Sequence, residues 1–285
     1  MKKYIFYLLL LLCSSNINAA QNFVVDYTKQ DSALVVRLLK QAVGHKGPTN
    51  YVIYFGKQLK SVPYVAKTLE IHKVEQLVVN LRQLDCTTYV ETVLALAQCA
   101  KLHKTKFEDF CSALRNIRYH DGNVAYTARK HYFTDWVAAN SKQGFVKEVG
   151  KGAFPFTTVQ IVKANYMSTH VSSYPMLVNQ PERLAKIIAV EKQISGTKCY
   201  YIPKRDIRNT QAYRRAIHDG DIIAIVTNKK GLDTSHLGIA IWHKDGLHML
   251  NASQIRGKVV EEPMTLRHYM SKHPIQIGIR IIRPL

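Results

Sequence analysis

The sequence contains few acidic residues for its length, and this deficit limits the partners it is suited to. Its 285 residues include 20 aspartates and glutamates against 40 lysines and arginines, giving a formal net charge of +20. So basic a chain is attracted to anionic surfaces such as cell wall, lipid headgroups or acidic peptides. Nucleic acid is a common partner of basic proteins, but no motif combining basic and aromatic residues is present. We therefore expect no nucleic-acid partner.

Cysteine is also scarce, and its spacing excludes the familiar zinc-binding motifs. The five cysteines form no C-x-x-C pair, and the sequence contains no H-E-x-x-H. The nearest approach to a metal-binding group is His236, His243 and His248 with Cys199, which follow no known ligand spacing. We therefore expect neither a metal nor another cofactor.

The sequence contains no apolar run long enough to cross a bilayer as a helix. A shorter apolar run lies near the N-terminus. Lys2 and Lys3 precede the apolar residues 4–12, and polar residues then lead to Ala19-Ala20. This three-part order is typical of a secretory signal peptide. We expect residues 1–20 to be removed, and the mature protein to be periplasmic or secreted without stable membrane insertion.

Repeats, low-complexity segments and linkers are absent, so residues 21–285 are expected to form a single domain. Apolar residues at helical spacing predict helices at 31–43, 86–103, 106–118, 134–140, 183–194 and 209–217. Apolar and β-branched runs predict strands at 75–81, 156–162, 198–202, 221–226, 236–242, 247–251, 259–260 and 276–282. Polar turns are expected at 44–50 and 120–123, and Asp245-Gly246 is a hairpin turn signal. Helices that precede an antiparallel sheet indicate the α+β class.

One helix start carries a candidate nucleophile. Asp85 is a good helix N-cap, and the apolar residues that follow it place Cys86 in the first turn of a largely buried helix. The partial positive charge at a helix N-terminus stabilises a thiolate, so the sequence predicts a lowered pKa for this thiol. A buried core cysteine explains this stretch alone equally well.

Two residues far downstream complete a possible catalytic group. His236 and Asn251 lie on strands joined by the turn at Gly246, so their side chains can share one face of the sheet. A thiolate attacks a carbonyl carbon, an imidazole transfers the proton, and a third group fixes the imidazole tautomer. Each residue alone has an ordinary structural explanation, but together with Cys86 they indicate a cysteine hydrolase.

Five segments, in this order, resemble the motif series of the NlpC-type cell-wall cysteine amidases, which are small papain-like enzymes. They are Pro63-Tyr64-Val65, Asp85-Cys86-Thr87, Gly220-Asp221-Ile222-Ile223, His236-Leu237-Gly238-Ile239-Ala240 and Asn251-Ala252-Ser253. Residues 63–70, 84–92, 131–136 and 231–238 resemble more closely the AmiA-like N-acetylmuramoyl-L-alanine amidase family of that superfamily. The resemblance implies a papain-like core with inserted helices, in which the nucleophile helix packs on the C-terminal antiparallel sheet.

The same resemblance assigns roles to residues. It implies that Cys86 is the nucleophile, His236 the general base and Asn251 the residue that orients the imidazole. The third position is usually histidine in the wider superfamily, although an amide can also accept the ring N–H. Ala66-Lys67 replaces the Trp-Gly-Gly of the endopeptidase branch, which argues against the same peptide specificity.

Substrate contacts are implied for a further set of residues: Tyr64, Asp85, Thr87, Arg129, Tyr132, Trp136 and Ser235. Asp85 would serve both as the helix cap and as an acceptor for a substrate N–H. The aromatic members would form a sugar-binding wall, since flat rings suit the C–H surfaces of sugars. Packing in the core is an equally good explanation for Tyr64 and Trp136, and Glu91 fits a helix ion pair better than a catalytic acid.

The expected activity is hydrolysis of the bond between the lactyl group of N-acetylmuramic acid and L-alanine in peptidoglycan fragments. The resemblance also suggests fragments that end in an anhydro sugar. Three alternatives remain open: an endopeptidase acting between D-glutamate and a diamino acid, a non-catalytic cell-wall-binding module, and an exported effector with acyltransferase or deamidase activity. The oligomeric state and the pairing of Cys99 with Cys111 also remain open.

Overall fold

The computed structural model describes residues 23–44, 50–150 and 152–285, and the leader expected at 1–20 lies outside them. The helices are α1 (Lys29–Val43), α2 (Tyr51–Gln58), α3 (Cys86–Lys101), α4 (Phe107–Arg118), α5 (Phe133–Lys142), α6 (Tyr166–Thr169), α7 (Pro181–Ile194), α8 (Gln211–Ala216) and α9 (Leu266–Ser271). The strands are β1 (Val25–Asp26), β2 (Leu77–Val78), β3 (Val146–Glu148), β4 (Thr158–Ile161), β5 (Lys198–Pro203), β6 (Ile222–Thr227), β7 (Thr234–Trp242), β8 (Leu247–Ser253), β9 (Lys258–Glu261) and β10 (Gln276–Pro284).

The main sheet has eight strands in the order β4-β5-β10-β6-β7-β8-β9, and β3 pairs with β10. Its strand pairs are antiparallel, and β1 and β2 form a separate parallel pair. The predicted α+β class with a C-terminal antiparallel sheet is confirmed. None of the described helices has both the length and the apolar character needed to cross a membrane.

Helix α3 is the central helix of the fold. Asp85 caps it through a capping box with Thr88, and nearly every side chain from Thr88 to Ala100 is buried. It packs against the helices α1, α2 and α4 and against the strands β7 and β8. A helix surrounded in this way has one rigid position, so the location of its first residue is fixed relative to the sheet.

The two faces of the sheet pack against different helices because side chains alternate along each strand. On β6, Ile222 and Ala224 join the core formed with α1 to α5. Ile223 and Ile225 point to the other face, where they pack with residues from α8 and α9.

Several segments differ from the sequence-based expectation, and the short elements β1, β3, α6 and α9 were not predicted. The strand predicted at 75–81 is reduced to Leu77–Val78, which pairs with β1 outside the main sheet. Helix α2 was not predicted, because its eight residues are too few to show a clear helical spacing of apolar residues and because they include Gly56. That glycine is required by packing: a Cβ there would lie 2.8 Å from the Tyr89 hydroxyl oxygen. The turn expected at 44–50 falls almost entirely outside the described residues.

Candidate active site

The start of α3 is held in place by the chain segment around Tyr64. Val65 N–H donates to the Leu84 carbonyl (3.1 Å), and Leu84 N–H donates to the Pro63 carbonyl (3.0 Å). On the other side, Tyr64 N–H donates to the Gly257 carbonyl at 2.9 Å. These short strand-like pairings fix the residues immediately before the helix, and therefore the direction in which Cys86 leaves the backbone.

Cys86 and His236 line the same cavity, which has a volume of about 190 Å³. The Cys86 sulfur lies 4.0 Å from the Thr87 hydroxyl. The backbone N–H groups of Leu237 and Thr87 lie close enough to the sulfur to favour its thiolate form. Because Leu237 directly follows His236, this contact joins the helix start to the strand that carries the imidazole.

His236 is oriented by Asn251. The His236 Nε2 and Asn251 Oδ1 atoms are 2.9 Å apart, and Asn251 is fully buried. The Asn251 Nδ2 group is directed to the Met249 carbonyl at 3.5 Å, so its Oδ1 is the acceptor facing the ring. An acceptor at Nε2 requires the proton to be on that nitrogen, which leaves Nδ1 unprotonated and able to act as a base.

A β-bulge precedes the imidazole. Ile225 pairs with His236 but Val226 pairs with Thr234, so Ser235 is an extra residue in β7. Bulges bend a strand and redirect its side chains, and they are frequent beside active sites. Ser235 and Thr234 both line the cavity as a result.

The electrostatics of Cys86 contradict the expectation of a lowered pKa. Burial, and secondarily the Asp85 carboxylate, raise the pKa of the thiol to about 11, against the opposing effect of the N–H groups of Leu237 and Thr87. Burial likewise lowers the pKa of His236, and its hydrogen bond to Asn251 only partly offsets this. The free site therefore holds a neutral thiol and a neutral imidazole.

Alkylation by iodoacetamide tests this charge state. We expect the rate at Cys86 to rise with pH up to about 11 in the native protein, because only the thiolate reacts. In urea the same cysteine should show a midpoint near its ordinary value of about 8.5. Mass spectrometry of the peptide that contains Cys86 measures both curves. A native rate already maximal in mildly acid solution would show instead a preformed thiolate–imidazolium pair.

The sequence-predicted contacts near the nucleophile differ in how free they are. Thr87 lines the cavity. Asp85 lines the adjoining cavity described below, and its Oδ1 accepts the N–H (2.8 Å) and the hydroxyl (2.9 Å) of Thr88. Tyr64 lies outside this cavity, but burial and the nearby Cys86 and Asp85 raise the pKa of its phenol to about 12. It therefore stays protonated and can donate a hydrogen bond.

The predicted aromatic wall lies along the cavity but is largely buried. Tyr132 is 3% exposed, and its hydroxyl donates to Glu191 (2.6 Å) while it accepts the Met167 N–H (3.0 Å). Trp136 is 1% exposed and stacks on Phe133 with ring centroids 5.2 Å apart. The rings thus support the cavity from behind, as in the core-packing alternative, and do not offer an open flat face.

A second cavity, of about 200 Å³, adjoins the first and shares Thr87, Lys130, His131 and Tyr174 with it. Arg129 lies there, where its guanidinium forms ion pairs with Glu70 and, at 3.4 Å, with Glu75. The predicted substrate role of Arg129 would therefore compete with these two carboxylates.

His131 stands where the two cavities meet, and the sequence did not single it out. Its Nε2 donates to the Tyr126 carbonyl at 2.7 Å, so Nδ1 remains an acceptor. Burial, together with the Arg129 charge, lowers the pKa of His131 to about 3. The ring is neutral at any working pH and presents an uncharged acceptor. The one sequence feature that pointed to His131 was its position in the segment 131–136, which resembles the AmiA-like family.

Asp233 also escaped the sequence reading, because its main partner lies 99 residues away. It is 2% exposed, and its carboxylate accepts the N–H groups of Thr134 (2.6 Å) and Thr234 (2.8 Å). One oxygen thus caps the start of α5 and the other holds the first residue of β7. This links the aromatic wall of the cavity to the strand that carries His236.

Replacing Asp233 with alanine is expected to lower kcat roughly tenfold to a hundredfold, because it loosens the geometry between wall and imidazole. It should also lower the free energy of unfolding by about 1–3 kcal/mol for each N–H left unpaired. Steady-state kinetics below the unfolding temperature separate the two effects. Asp206→Asn, which changes a half-exposed carboxylate outside the cavity, is the control. A variant with unchanged kcat would show that Asp233 has only a structural role.

The other described cysteines take no part in this site. Cys99, Cys111 and Cys199 are buried free thiols, so the pairing of Cys99 with Cys111 that the sequence left open is not formed. Burial raises the pKa of Cys111 to about 12, with a smaller contribution from nearby Glu108 and Cys99. In the part of the chain that the structure describes, no three histidine, cysteine, aspartate or glutamate residues lie close enough to hold a metal ion.

Comparisons with a family model and with solved structures find relatives of this chain. The AmiA-like family, described as N-acetylmuramoyl-L-alanine amidase-like, matches residues 54–279. An N-acetylmuramoyl-L-alanine amidase from Bacteroides uniformis is 36% identical with a TM-score of 0.77, over 86% of this chain and 99% of that one. No curated protein gives a significant match.

Two further solved structures are similar. A Bacteroides fragilis protein, named provisionally as a xylanase, is 39% identical with a TM-score of 0.75, over 81% of this chain and 99% of that one. A Legionella pneumophila protein is 24% identical with a TM-score of 0.68, over 90% of this chain and 95% of that one, and this likeness concerns the fold alone.

Proposed function

We propose that this chain is a cysteine amidase of papain-like, NlpC type. The premise is that it belongs to the AmiA-like N-acetylmuramoyl-L-alanine amidase-like family. Its substrates would be peptidoglycan fragments, and the bond cleaved would join the lactyl group of N-acetylmuramic acid to L-alanine. One observation carries the proposal: Cys86 and His236 line one cavity, and Asn251 holds the imidazole in the tautomer that a base needs.

In the first step the Cys86 sulfur attacks the lactyl carbonyl carbon while His236 Nδ1 takes the thiol proton. Because both groups are neutral beforehand, charge separates only as the bond forms. The carbonyl oxygen becomes an oxyanion near the start of α3, where the first N–H groups of a helix have no partner within the helix. Asp85 occupies the Thr88 N–H, which leaves the N–H groups of Cys86 and Thr87 as the donors available to this oxyanion.

In the second step the tetrahedral intermediate collapses. The C–N bond breaks, the imidazolium gives its proton to the amine of L-alanine, and the peptide leaves as a neutral amine. A thioester between Cys86 and the lactyl group remains. Water, deprotonated by His236, then attacks the thioester carbonyl and releases the lactyl carboxylic acid, and the thiol regains its proton.

A glycosidase activity fits this cavity less well. Glycoside hydrolysis commonly uses two carboxyl groups that flank the scissile bond. Among the described residues, Asp233 is the sole carboxylate lining the cavity with Cys86, and both of its oxygens already accept backbone N–H groups. The name carried by the Bacteroides fragilis relative is therefore not extended to this chain.

Digestion of purified muropeptides, with mass spectrometry of the products, tests the proposal. An amidase releases an intact sugar and a free stem peptide that begins with L-alanine. A released sugar–dipeptide would identify instead an endopeptidase acting between D-glutamate and the diamino acid. Binding to cell wall without any product would favour a non-catalytic module. Substrates with and without an anhydro end then measure the preference for that sugar.

The second part of the proposal is export to the periplasm or the medium, which would bring the enzyme to the peptidoglycan. The supporting observation is the order of charged, apolar and small residues over positions 1–20. Measuring the intact mass of the protein purified from its native cells tests this. A mass that retains residues 1–20 would contradict export by a cleaved signal.

A further inference from the structure

Basic side chains are concentrated in one short stretch of the surface. Between positions 204 and 215 the chain has five basic residues and one acidic residue. The Arg205 side chain is 86% exposed, and it lies 3.8 Å from the Asp206 carboxylate, which is itself half exposed. Arg208 and Arg215 are also exposed. Five positive charges against one negative charge give the stretch a formal net charge of +4.

Two contacts fix the ends of this stretch on the surface. At one end, Lys204 donates through Nζ to the His273 carbonyl at 3.1 Å, which brings it beside the exposed Lys272. At the other end, Arg214 lies over the Trp242 ring at 4.5 Å and donates to the His243 carbonyl at 2.6 Å. We define the basic face by these residues: Lys204, Arg205, Arg208, Arg214, Arg215 and Lys272.

An exposed aromatic side chain lies on the same face. Phe154 is 64% exposed and meets the Tyr213 ring edge-on, with centroids 5.6 Å apart. Burial, and secondarily Asp206, raise the pKa of Tyr213, while Arg208 opposes this, so both charges lie beside that ring. An apolar side chain surrounded by basic ones is the combination that favours the boundary between lipid headgroups and acyl chains.

We propose that the basic face, with Phe154, docks the protein on an anionic lipid surface. Headgroup phosphates complement the guanidinium groups, and the Phe154 ring enters the interface beside them. A purely charged polymer would gain nothing from the phenylalanine, which is why the lipid is favoured. None of the six basic residues lines either cavity described above, so docking and hydrolysis use separate surfaces.

Vesicle co-sedimentation tests the proposal with matched charge variants. One variant is Arg205→Gln/Arg208→Gln/Arg215→Gln on the basic face. The control is Lys29→Gln/Arg37→Gln/Lys40→Gln, three exposed residues of α1, which packs on the other face of the sheet. Each variant loses three positive charges, and both are made in protein that begins at the same residue. Vesicles of phosphatidylcholine alone and of phosphatidylcholine with phosphatidylglycerol are the probes.

The basic-face variant is expected to bind the anionic vesicles roughly 100-fold more weakly than the unchanged protein, since each basic side chain near the surface contributes about fivefold. The control should lose less than tenfold. Equal losses in the two variants would overturn the proposal, because net charge alone would then explain binding. Thermal unfolding of both variants checks that they are folded.

Phe154→Gln separates a lipid from other polyanions. It is expected to weaken vesicle binding several-fold while leaving retention on polyphosphate, which has neither an apolar nor an aromatic part, unchanged. A variant that binds vesicles as tightly as the unchanged protein, or an oligonucleotide that displaces vesicles completely at low concentration, would overturn the lipid assignment. Neither result bears on the proposed amidase activity, which is measured in solution.

Discussion

Replacing Cys86 with alanine is expected to lower kcat for muropeptide hydrolysis by roughly 10⁴-fold or more, because no other group can form the acyl intermediate. The side chain is small and only partly buried, so the variant should remain folded. Product formation is measured by mass spectrometry at saturating substrate, and thermal unfolding is recorded beside it.

Two variants sharpen this measurement. Cys86→Ser keeps the size of the side chain, but its hydroxyl is a far weaker nucleophile in a site built for sulfur, so it should also lose at least roughly a hundredfold. Cys99→Ala removes a thiol from the same helix, at a position 2% exposed in the core, and should keep kcat. Full activity of Cys86→Ala would place the chemistry elsewhere and end the proposed mechanism.

The parts of the site that sequence could predict are those set by local rules. Asp85 and the spacing of apolar residues after it predict where α3 begins, and the capping box is found there. The Asp245-Gly246 turn and the period of two along a strand predict that His236 and Asn251 share a face, and they are in contact. Each inference used only residues that are close together in the sequence, within one helix start or one hairpin.

The parts that could not be predicted depend on distant packing. The rise in the pKa of Cys86 comes from burial, which the surrounding elements decide, so the helix N-terminus alone indicated the wrong direction. The bulge at Ser235 depends on the pairing of β7 with β6. The bond from Thr134 to Asp233, and the ion pairs that occupy Arg129, join residues far apart in sequence.

Several of the few acidic residues form ion pairs with arginines inside the protein. Several carboxylates are used inside the protein, each opposite an arginine: Glu91 with Arg118, Glu148 with Arg280, Asp221 with Arg283 and Glu262 with Arg256. Carboxylates used in this way do not neutralise the surface. The excess of positive charge therefore lies largely outside, where it is available for an anionic partner.

The largest loss of stability is expected at the most buried of these pairs. Glu91 and Arg118 are each 2% exposed. The Glu91 Oε2 atom accepts from Arg118 Nε at 2.7 Å, and Arg118 Nη1 donates to the Val78 carbonyl at 2.8 Å. Burial acts to lower the pKa of Arg118, but Glu91 outweighs it, so the guanidinium stays charged. Removing Glu91 alone leaves that charge buried without a counter-charge.

Glu91→Ala is therefore expected to lower the free energy of unfolding by about 3–5 kcal/mol, measured by urea denaturation. The double variant Glu91→Leu/Arg118→Met should recover most of the loss, since an apolar pair of similar volume avoids the desolvation of both charges. The recovered protein should also keep its kcat, because Glu91 would be an ion-pair partner and not a catalytic acid. A single variant that loses less than about 1 kcal/mol, or a double variant that is stable but inactive, would contradict this assignment and return Glu91 to the list of reacting groups.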